Sequence, residues 1–290
     1  MAKLAPEPVM LATPTAVRAQ VAAWRTAGER IALVPTMGAL HAGHLALVEA
    51  AKAQADRVLV SIFVNPTQFA PHEDFDQYPR HLDRDLQALS TLGVDGIYTP
   101  TRALMYPQGH QTTVSVSGVA HPMEGEYRPH FFSGVATIVA KLFIQCAPDL
   151  AVFGEKDYQQ LLVIRQMARD LDLPVTVVGH PTVREADGLA LSSRNAYLSV
   201  DQRAVAAHLP QTLHHIAAGL AAGKAFADFE KEAKERLRAV GFEPPDYLDF
   251  RDAETLEPLD RATWPGRLLV AAKLGQTRLI DNLAVPVVVP

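Results

Sequence analysis

The chain has 290 residues, 48% hydrophobic and 20% charged, which suggests about two domains with apolar material enough for packed cores. A formal net charge of −5 and a pI near 6.1 argue against a broad basic face for nucleic acid. The one cysteine, Cys146 in "KLFIQCAPDL", excludes an internal disulfide and a cysteine zinc site and fits a reducing compartment. No basic region followed by a sufficient apolar stretch opens the chain, and no window approaches the roughly 18 apolar residues of a membrane span, so a soluble cytoplasmic protein is expected.

Disorder is expected only in the first dozen residues, "MAKLAPEPVMLA". "RIALVPT" (30–36) reads as a buried strand, "HLALVEAAKAQAD" as a helix and residues 58–64 as a second strand. Strand, helix, strand at this spacing is a βαβ unit with parallel pairing and a right-handed crossover. The rhythm continues with a helix ending at Gly93, a suitable C-terminal cap, a short strand in "VDGIYTP" and an apolar helix over 133–145. A strand breaking at Gly154, an amphipathic helix and a strand in "LPVTVVGHP" follow. This alternation predicts an α/β fold, an open, doubly wound parallel sheet. After about residue 185 the pattern changes to a polar loop, two helices near 201–222 and 226–240, and strands. The last two strands form a hairpin at a Gly-Gln turn. A smaller α+β C-terminal domain is therefore expected over 186–290, after a first domain of 1–185.

Several segments fall at or just after the C-terminal ends of predicted strands, the edge where open α/β sheets bind ligands. In "MGALHAGH", Gly38 and Gly43 permit a close turn, and His44 falls in the first turn of a helix. Unpaired N–H groups and the helix dipole there suit phosphate. His41 and His44, at i and i+3, share one side of the helix and can donate to phosphate oxygens. A metal site would need further ligands, and HExxH is absent; two ordinary histidines at a helix start are the third reading. In "FGEKDYQQL", Lys156 is a cation at the sheet edge and Asp157 an acceptor for hydroxyls such as a ribose. A solvated loop with a Glu155–Lys156 pair is the plain alternative. Ser192 and Ser193 beside Arg194 in "GLALSSRN" suit a phosphate chain, although Ser-rich loops with one arginine are common. Asn65 and Gln68 in "SIFVNPTQFAPHEDFDQYPR" can hydrogen-bond a small polar ligand, and the acidic continuation over 71–80 is either a mobile lid or a plain surface loop. No Walker P-loop, GxGxxG or GxSxG elbow is present.

Together these segments closely resemble the pantothenate synthetase (pantoate–β-alanine ligase) family over nearly the whole chain. The resemblance is carried by "PTMGALHAGHLALV", "SIFVNPTQFAPHEDFDQYPR", "MEGEYRP", "GVATIVAKLF", "FGEKDYQQL", "VREADGLALSSRNAYLS" and "TRLIDN", in this order. "HAGH" is similar to the HxGH signature of a wider nucleotidyltransferase superfamily, and "LSSRN" to that superfamily's KMSKS-type loop. The resemblance implies a Rossmann-like first domain binding ATP and pantoate, a second domain closing over the active site, and an AMP-forming amide ligase. Pantoate's carboxylate would attack the α-phosphate of ATP, with Mg²⁺, giving pantoyl adenylate and pyrophosphate. The amine of β-alanine would then give pantothenate and AMP, on the route to coenzyme A. A cytoplasmic homodimer is implied.

The same resemblance implies residue roles. Met37, Gly38, Ala39, Leu40, His41, Ala42, Gly43 and His44 would line the ATP site, with His41 and His44 at the phosphates and His44 the usual proton donor. Gly154, Glu155, Lys156 and Asp157 would contact ATP, Lys156 at phosphate and Asp157 near the ribose. Val183 would touch adenine, and Leu191, Ser192, Ser193 and Arg194 would close on the phosphates. Gln68 and Gln160 would hold pantoate, with Asn65 beside them and Gln68 also on the β-alanine path. Met37 and Phe69 are candidates for the apolar wall around pantoate's gem-dimethyl group. His41, His44, Lys156 and Arg194 carry the expected catalytic load, because attack at the α-phosphate builds charge that preorganised donors and cations stabilise. Mg²⁺ would be held mainly by phosphate oxygens and water, without a dedicated protein site. Two departures stand out. The family's "RPGHF" is "RPHFF" here (128–132), which puts in doubt a ligand or dimer role for that turn and makes His130 a candidate to replace the lost histidine. Leu191 stands for a common methionine, a volume-conserving swap. A different adenylyl or nucleotidyl transferase and a non-catalytic nucleotide-binding protein are the rival readings; paired Gln68 and Gln160 favour a small hydroxy-acid acceptor.

Overall fold

The computed structural model describes residues 7–71 and 73–287. The chain forms two compact units. The first holds the chain up to Ala120 with Arg128–Glu155 and Gln159–Pro181; the second holds His121–Tyr127, Lys156–Tyr158 and the chain from Thr182. The two short early pieces belong to the second unit for visible reasons. Asn282 Nδ2 donates to the Lys156 carbonyl at 2.8 Å, the Tyr158 hydroxyl donates to the Ala253 carbonyl at 2.8 Å, and Arg278 pairs with Glu124 at 2.9 Å.

The first unit runs β1 (Val9–Leu11), α1 (Pro14–Thr26), β2 (Ile31–Thr36), α2 (Ala42–Lys52), β3 (Arg57–Ile62), α3 (Leu82–Leu92), β4 (Gly96–Tyr98) and α4 (Arg102–Met105). The chain then gives the second unit α5 (Glu124–Tyr127), before α6 (Phe131–Cys146), β5 (Leu150–Gly154), α7 (Tyr158–Asp170) and β6 (Thr176–His180). The six strands form one sheet in the order β1-β4-β3-β2-β5-β6, parallel at every pairing. Alternate strand residues point to opposite faces, and two cores result. Ile31, Leu33 and Leu59 pack with Val17, Val21 and Trp24 of α1 and with the apolar faces of α6 and α7. Ala32, Val34, Val58 and Val60 pack with Leu47, Val48 and Ala51 of α2 and Leu89 of α3. The expected doubly wound sheet is therefore present. Its order reverses between β2 and β5, and at such a point the carboxyl ends of the strands frame a crevice.

The expectation of disorder over the first dozen residues is corrected: Val9–Leu11 is the edge strand β1, in register with Gly96, Ile97 and Tyr98. Residues 1–6 lie outside the described residues. The helix expected to end at Gly93 does so, with the glycine at φ +65° and its N–H on the Leu89 carbonyl.

The second unit contains α8 (Val200–Ala206), α9 (His208–Ala221), α10 (Ala227–Ala239) and an antiparallel sheet of β7 (Tyr247–Asp252), β8 (Gly266–Leu274) and β9 (Thr277–Val285), in that order. Alternate residues of β8, from Leu268 to Leu274, enter one core with Leu209, Leu213, Ile216 and Leu220 of α9. The single helix expected near 201–222 is two, α8 and α9. Pro210 lies in the first turn of α9, where a missing N–H costs nothing; inside one continuous helix it would remove a hydrogen bond. Among the described residues no helix is long and apolar enough to cross a membrane.

Candidate active site

The loop leaving β2 is held against the carboxyl edge of the sheet by few groups. Thr36 is buried; its hydroxyl donates to the Ser61 carbonyl at 2.8 Å and accepts from the Gly38 N–H at 3.2 Å. Gly38 takes φ +82° and Ala39 φ +50°, so the chain turns through two consecutive left-handed residues, only one of them glycine. The turn is fixed from a distance. Asp85 of α3, 2% exposed, accepts the Ala39 N–H at 2.9 Å and the Leu40 N–H at 2.8 Å. The sequence reading did not single out Asp85; within "HLDRDLQAL" it is one of several charges on a helix.

The two histidines then start α2. His41 is its N-cap, and Nδ1 accepts the Gly43 N–H at 3.1 Å. His44 Nδ1 accepts the His41 N–H at 3.4 Å. Each ring thus takes the part of the hydroxyl or carboxylate in an ordinary capping box. A ring nitrogen that accepts from a backbone N–H carries no proton, so both rings hold theirs on Nε2. The rings lie 4.2 Å apart, centroid to centroid.

Asn65 and Gln68 flank the 3-10 turn Pro66–Gln68 after β3. Asn65, 1% exposed, spends its amide inside the protein: Nδ2 donates to Gln68 Oε1 at 3.0 Å and to the Gly134 carbonyl at 3.1 Å, and Oδ1 accepts from Thr67 and from the Tyr106 hydroxyl. Gln68 Nε2 lies 3.2 Å from the Met37 sulfur, so the turns after β2 and β3 meet at these two side chains. Gly134 is required for this packing, because a Cβ there would sit 2.4 Å from the Thr67 carbonyl oxygen. Phe69 is buried and stacks edge-on against Phe75 and Tyr78.

The segment expected as a lid is anchored at the same place. Arg128 forks onto Glu73 at 2.6 and 2.7 Å, donates to the Gln68 carbonyl at 2.9 Å, and lies 4.0 Å above the Phe131 ring. Burial pushes the Glu73 carboxyl up, but Arg128 outweighs it and holds the group below its ordinary value. The departures at 130 and 131 are thereby located. Phe131 is the platform under Arg128, whereas His130 offers no side-chain cap to α6 and its Nε2 is buried with no hydrogen-bond partner. His72 lies outside the described residues.

Gly154 ends β5 and Glu155 follows it, and Gln160 lies half-buried in the first turn of α7. Gln159 is buried and donates to the Val119 carbonyl at 2.9 Å; its neighbour faces elsewhere, as consecutive helical positions must.

In the second unit Lys156 Nζ is 4.0 Å from Asp157, at the limit of an ion pair. Val183 and Leu191 are brought together by the Leu191 N–H on the Val183 carbonyl at 3.0 Å, beside a bridge between Arg184 and Ala190. Ser192 caps the 3-10 turn Ser193–Tyr197, its hydroxyl accepting the Arg194 N–H at 3.3 Å. This loop is clamped by groups to which the sequence reading gave no role. Arg184 forks onto Asp281 with both contacts at 2.8 Å, and Asp281 is 3% exposed. Asn282 accepts from Arg267 at 2.7 Å. The signal was "TRLIDN", noticed as a motif but left without an assignment.

These features define a class: an α/β protein with a histidine-capped helix start and buried amide side chains at the carboxyl edge of a doubly wound sheet. Known proteins narrow it. A family model described as pantoate-beta-alanine ligase matches residues 9–284. Pantothenate synthetase of Caulobacter vibrioides is 54% identical, covering 96% of this chain and 99% of that protein. That of Mesorhizobium japonicum is 56% identical, covering 97% and 99%. The solved pantothenate synthetase from Thermus thermophilus superposes with a TM-score of 0.90 at 47% identity, covering 96% of this chain and 99% of that one. Pantoate-beta-alanine ligase from Francisella tularensis, complexed with beta-gamma ATP and beta-alanine, gives a TM-score of 0.82 at 32% identity, covering 95% and 97%. The chain belongs to the pantoate–β-alanine ligase family.

Proposed function

We propose that the chain is an ATP-dependent ligase that joins pantoate to β-alanine, forming pantothenate through a pantoyl adenylate and releasing pyrophosphate and AMP. Membership of the family supports the reaction, and the Francisella ligase, complexed with beta-gamma ATP and beta-alanine, supports two of the substrates. The observation that carries the reading in this chain is the paired cap, in which His41 and His44 accept backbone N–H groups through Nδ1 at a helix start, where the helix dipole favours a phosphate.

In the first step pantoate's carboxylate, already ionised, attacks the α-phosphate and pyrophosphate leaves; no protein base is needed. Charge grows on the non-bridging oxygens and the leaving group, and fixed donors stabilise it. His41, His44, Lys156, Ser192, Ser193 and Arg194 supply them, with the dipole at the start of α2. ATP lies along residues 37–44 and 154–157, with Asp157 at the ribose, Val183 at the adenine and Leu191 beside it. Gln68 and Gln160 hold pantoate, against an apolar wall of Met37 and Phe69. Asn65 works one step back, because both ends of its amide are engaged within the protein. In the second step the β-alanine amine attacks the acyl carbon, the bond to the adenylate oxygen breaks and AMP leaves. The mixed anhydride must be kept from water meanwhile, a task for the 71–80 segment, anchored through Glu73 on Arg128.

Among the described residues no group of three His, Cys, Asp or Glu side chains could hold a metal ion. Mg²⁺ would come with the nucleotide, held mainly by its phosphate oxygens and water. A cytoplasmic homodimer completes the proposal. Cys146 is buried and its thiol is pushed up by burial, which suits a reducing compartment; sedimentation should return the mass of two chains. The reaction is tested by pantoate-dependent exchange between ATP and labelled pyrophosphate without β-alanine. Exchange that ignores pantoate, or none from folded protein, rejects the adenylate.

A further inference from the structure

The buried polar cluster behind Gln68 fixes which end of that amide meets a ligand. An amide can be placed either way round by shape alone, but a main-chain N–H only donates and a carbonyl only accepts. Asn65 meets both kinds. One end of its amide faces the Thr67 N–H at 3.4 Å and must be the oxygen; the other faces the Gly134 carbonyl at 3.1 Å and must be the nitrogen. The nitrogen then donates to Gln68 at 3.0 Å, so the Gln68 atom facing it is Oε1 and the far atom is Nε2, beside the Met37 sulfur.

Tyr106 closes the chain of contacts. Its hydroxyl donates to Asn65 Oδ1 at 2.7 Å, shorter than either donor from Thr67, and lies 3.1 Å from the Thr67 hydroxyl. The ring is set by Phe63 at 6.4 Å and His110 at 5.1 Å. Burial raises the pKa of the phenol, which keeps it a neutral donor. Tyr106 follows α4, in a part of the sequence to which no role was assigned.

We propose that Tyr106 is a positioning residue for pantoate: through Asn65 it holds Gln68 so that an N–H donor, rather than an acceptor, meets the substrate. The consequence is a choice of ligand chemistry. The position reads an oxygen that accepts, such as a carboxylate or hydroxyl oxygen, and disfavours a group that can only donate. The inference rests on the reading that Gln68 holds pantoate.

Tyr106→Phe removes the hydroxyl and keeps the ring. Losing one buried neutral donor should raise KM for pantoate about 3- to 10-fold, with kcat within about twofold and KM for ATP unchanged. A double-mutant cycle separates positioning from general loosening. In a Gln68→Ala background the same change should lower kcat/KM for pantoate by less than about twofold, because the relay then has nothing to orient. An unchanged KM in Tyr106→Phe, or the same fold-change with and without Gln68, overturns the proposal. If Tyr106→Phe does not fold, Thr67→Val, which removes another donor to the same oxygen from an exposed residue, takes its place in the same cycle with the same criteria. Wild-type protein without pantoate-dependent exchange would reject the ligase reading itself; active wild type with unaffected variants rejects only this inference.

Discussion

Residues 37–44 in the first unit and residues 183–194 in the second both carry groups assigned to ATP, and they are held by different means. In the first loop the brace acts on peptide groups: Asp85 takes the N–H of Ala39 and Leu40, and two rings cap a helix. In the second the braces are ion pairs. Arg184 forks onto Asp281, and Arg203 reaches Glu185 at 2.9 Å and Asp187 at 2.6 Å. Burial pairs these differently too: Asp281 is almost wholly buried, while Glu185 and Asp187 are open to water. A brace on peptide groups sets where donors point, so its loss should appear in catalysis. A buried ion pair leaves an uncompensated charge when halved, so its loss should appear in stability.

The largest effect should come from the second loop. Asp281→Ala leaves Arg184 without its partner and should cost about 3–5 kcal/mol in urea unfolding. A cost near zero would show that the pair does not hold the loop. Next comes His44→Ala in the first loop. It should lower the adenylation rate by about 10²–10³-fold, equivalent to about 2.7–4 kcal/mol, with the circular dichroism spectrum unchanged. Lys156→Ala should behave alike, and near-normal turnover in either breaks the assignment. Asp85→Asn sharpens the contrast directly. One of the two N–H groups loses its acceptor, so kcat/KM for ATP should fall by the equivalent of about 1–3 kcal/mol, more than the variant loses in unfolding free energy. The reverse ranking would make Asp85 a stability residue only.

The smallest effect concerns Glu73. Its folded-state pKa lies below the ordinary 4.5, with Arg128 outweighing burial. The stabilisation is therefore present above the unfolded pKa and is lost as pH falls through the folded one. Glu73→Gln should cost about 1 kcal/mol at neutral pH, with the difference from wild type shrinking in acid. A difference that grows in acid contradicts the sign.

Much of the scaffold was legible in the sequence because its signals are local. Apolar runs of 4–8 residues, a glycine stop at Gly93 and helical periodicity place β2 to β6 and α2, α3, α6 and α7. The candidate groups were legible for the same reason: a histidine pair at a strand-to-helix turn and a lysine after a strand need no distant partner to be noticed. What escaped depends on contacts far along the chain. β1 has three residues and is a strand only because β4 lies beside it. Asp85 acts 45 and 46 residues from its partners, and Arg184 pairs with a residue 97 positions on. Asn65 is legible by its type, but the partners that fill its hydrogen-bond shell are not: Gly134 and Tyr106 lie 69 and 41 residues on.

The central claim is that a pantoate carboxylate oxygen becomes bonded to the α-phosphorus. Pantoate labelled with ¹⁸O in its carboxylate, turned over with ATP and β-alanine, tests it directly by mass analysis of the products. One labelled oxygen in AMP, with none in inorganic phosphate or pyrophosphate, is the predicted result. Label in inorganic phosphate, or AMP without label, would contradict it.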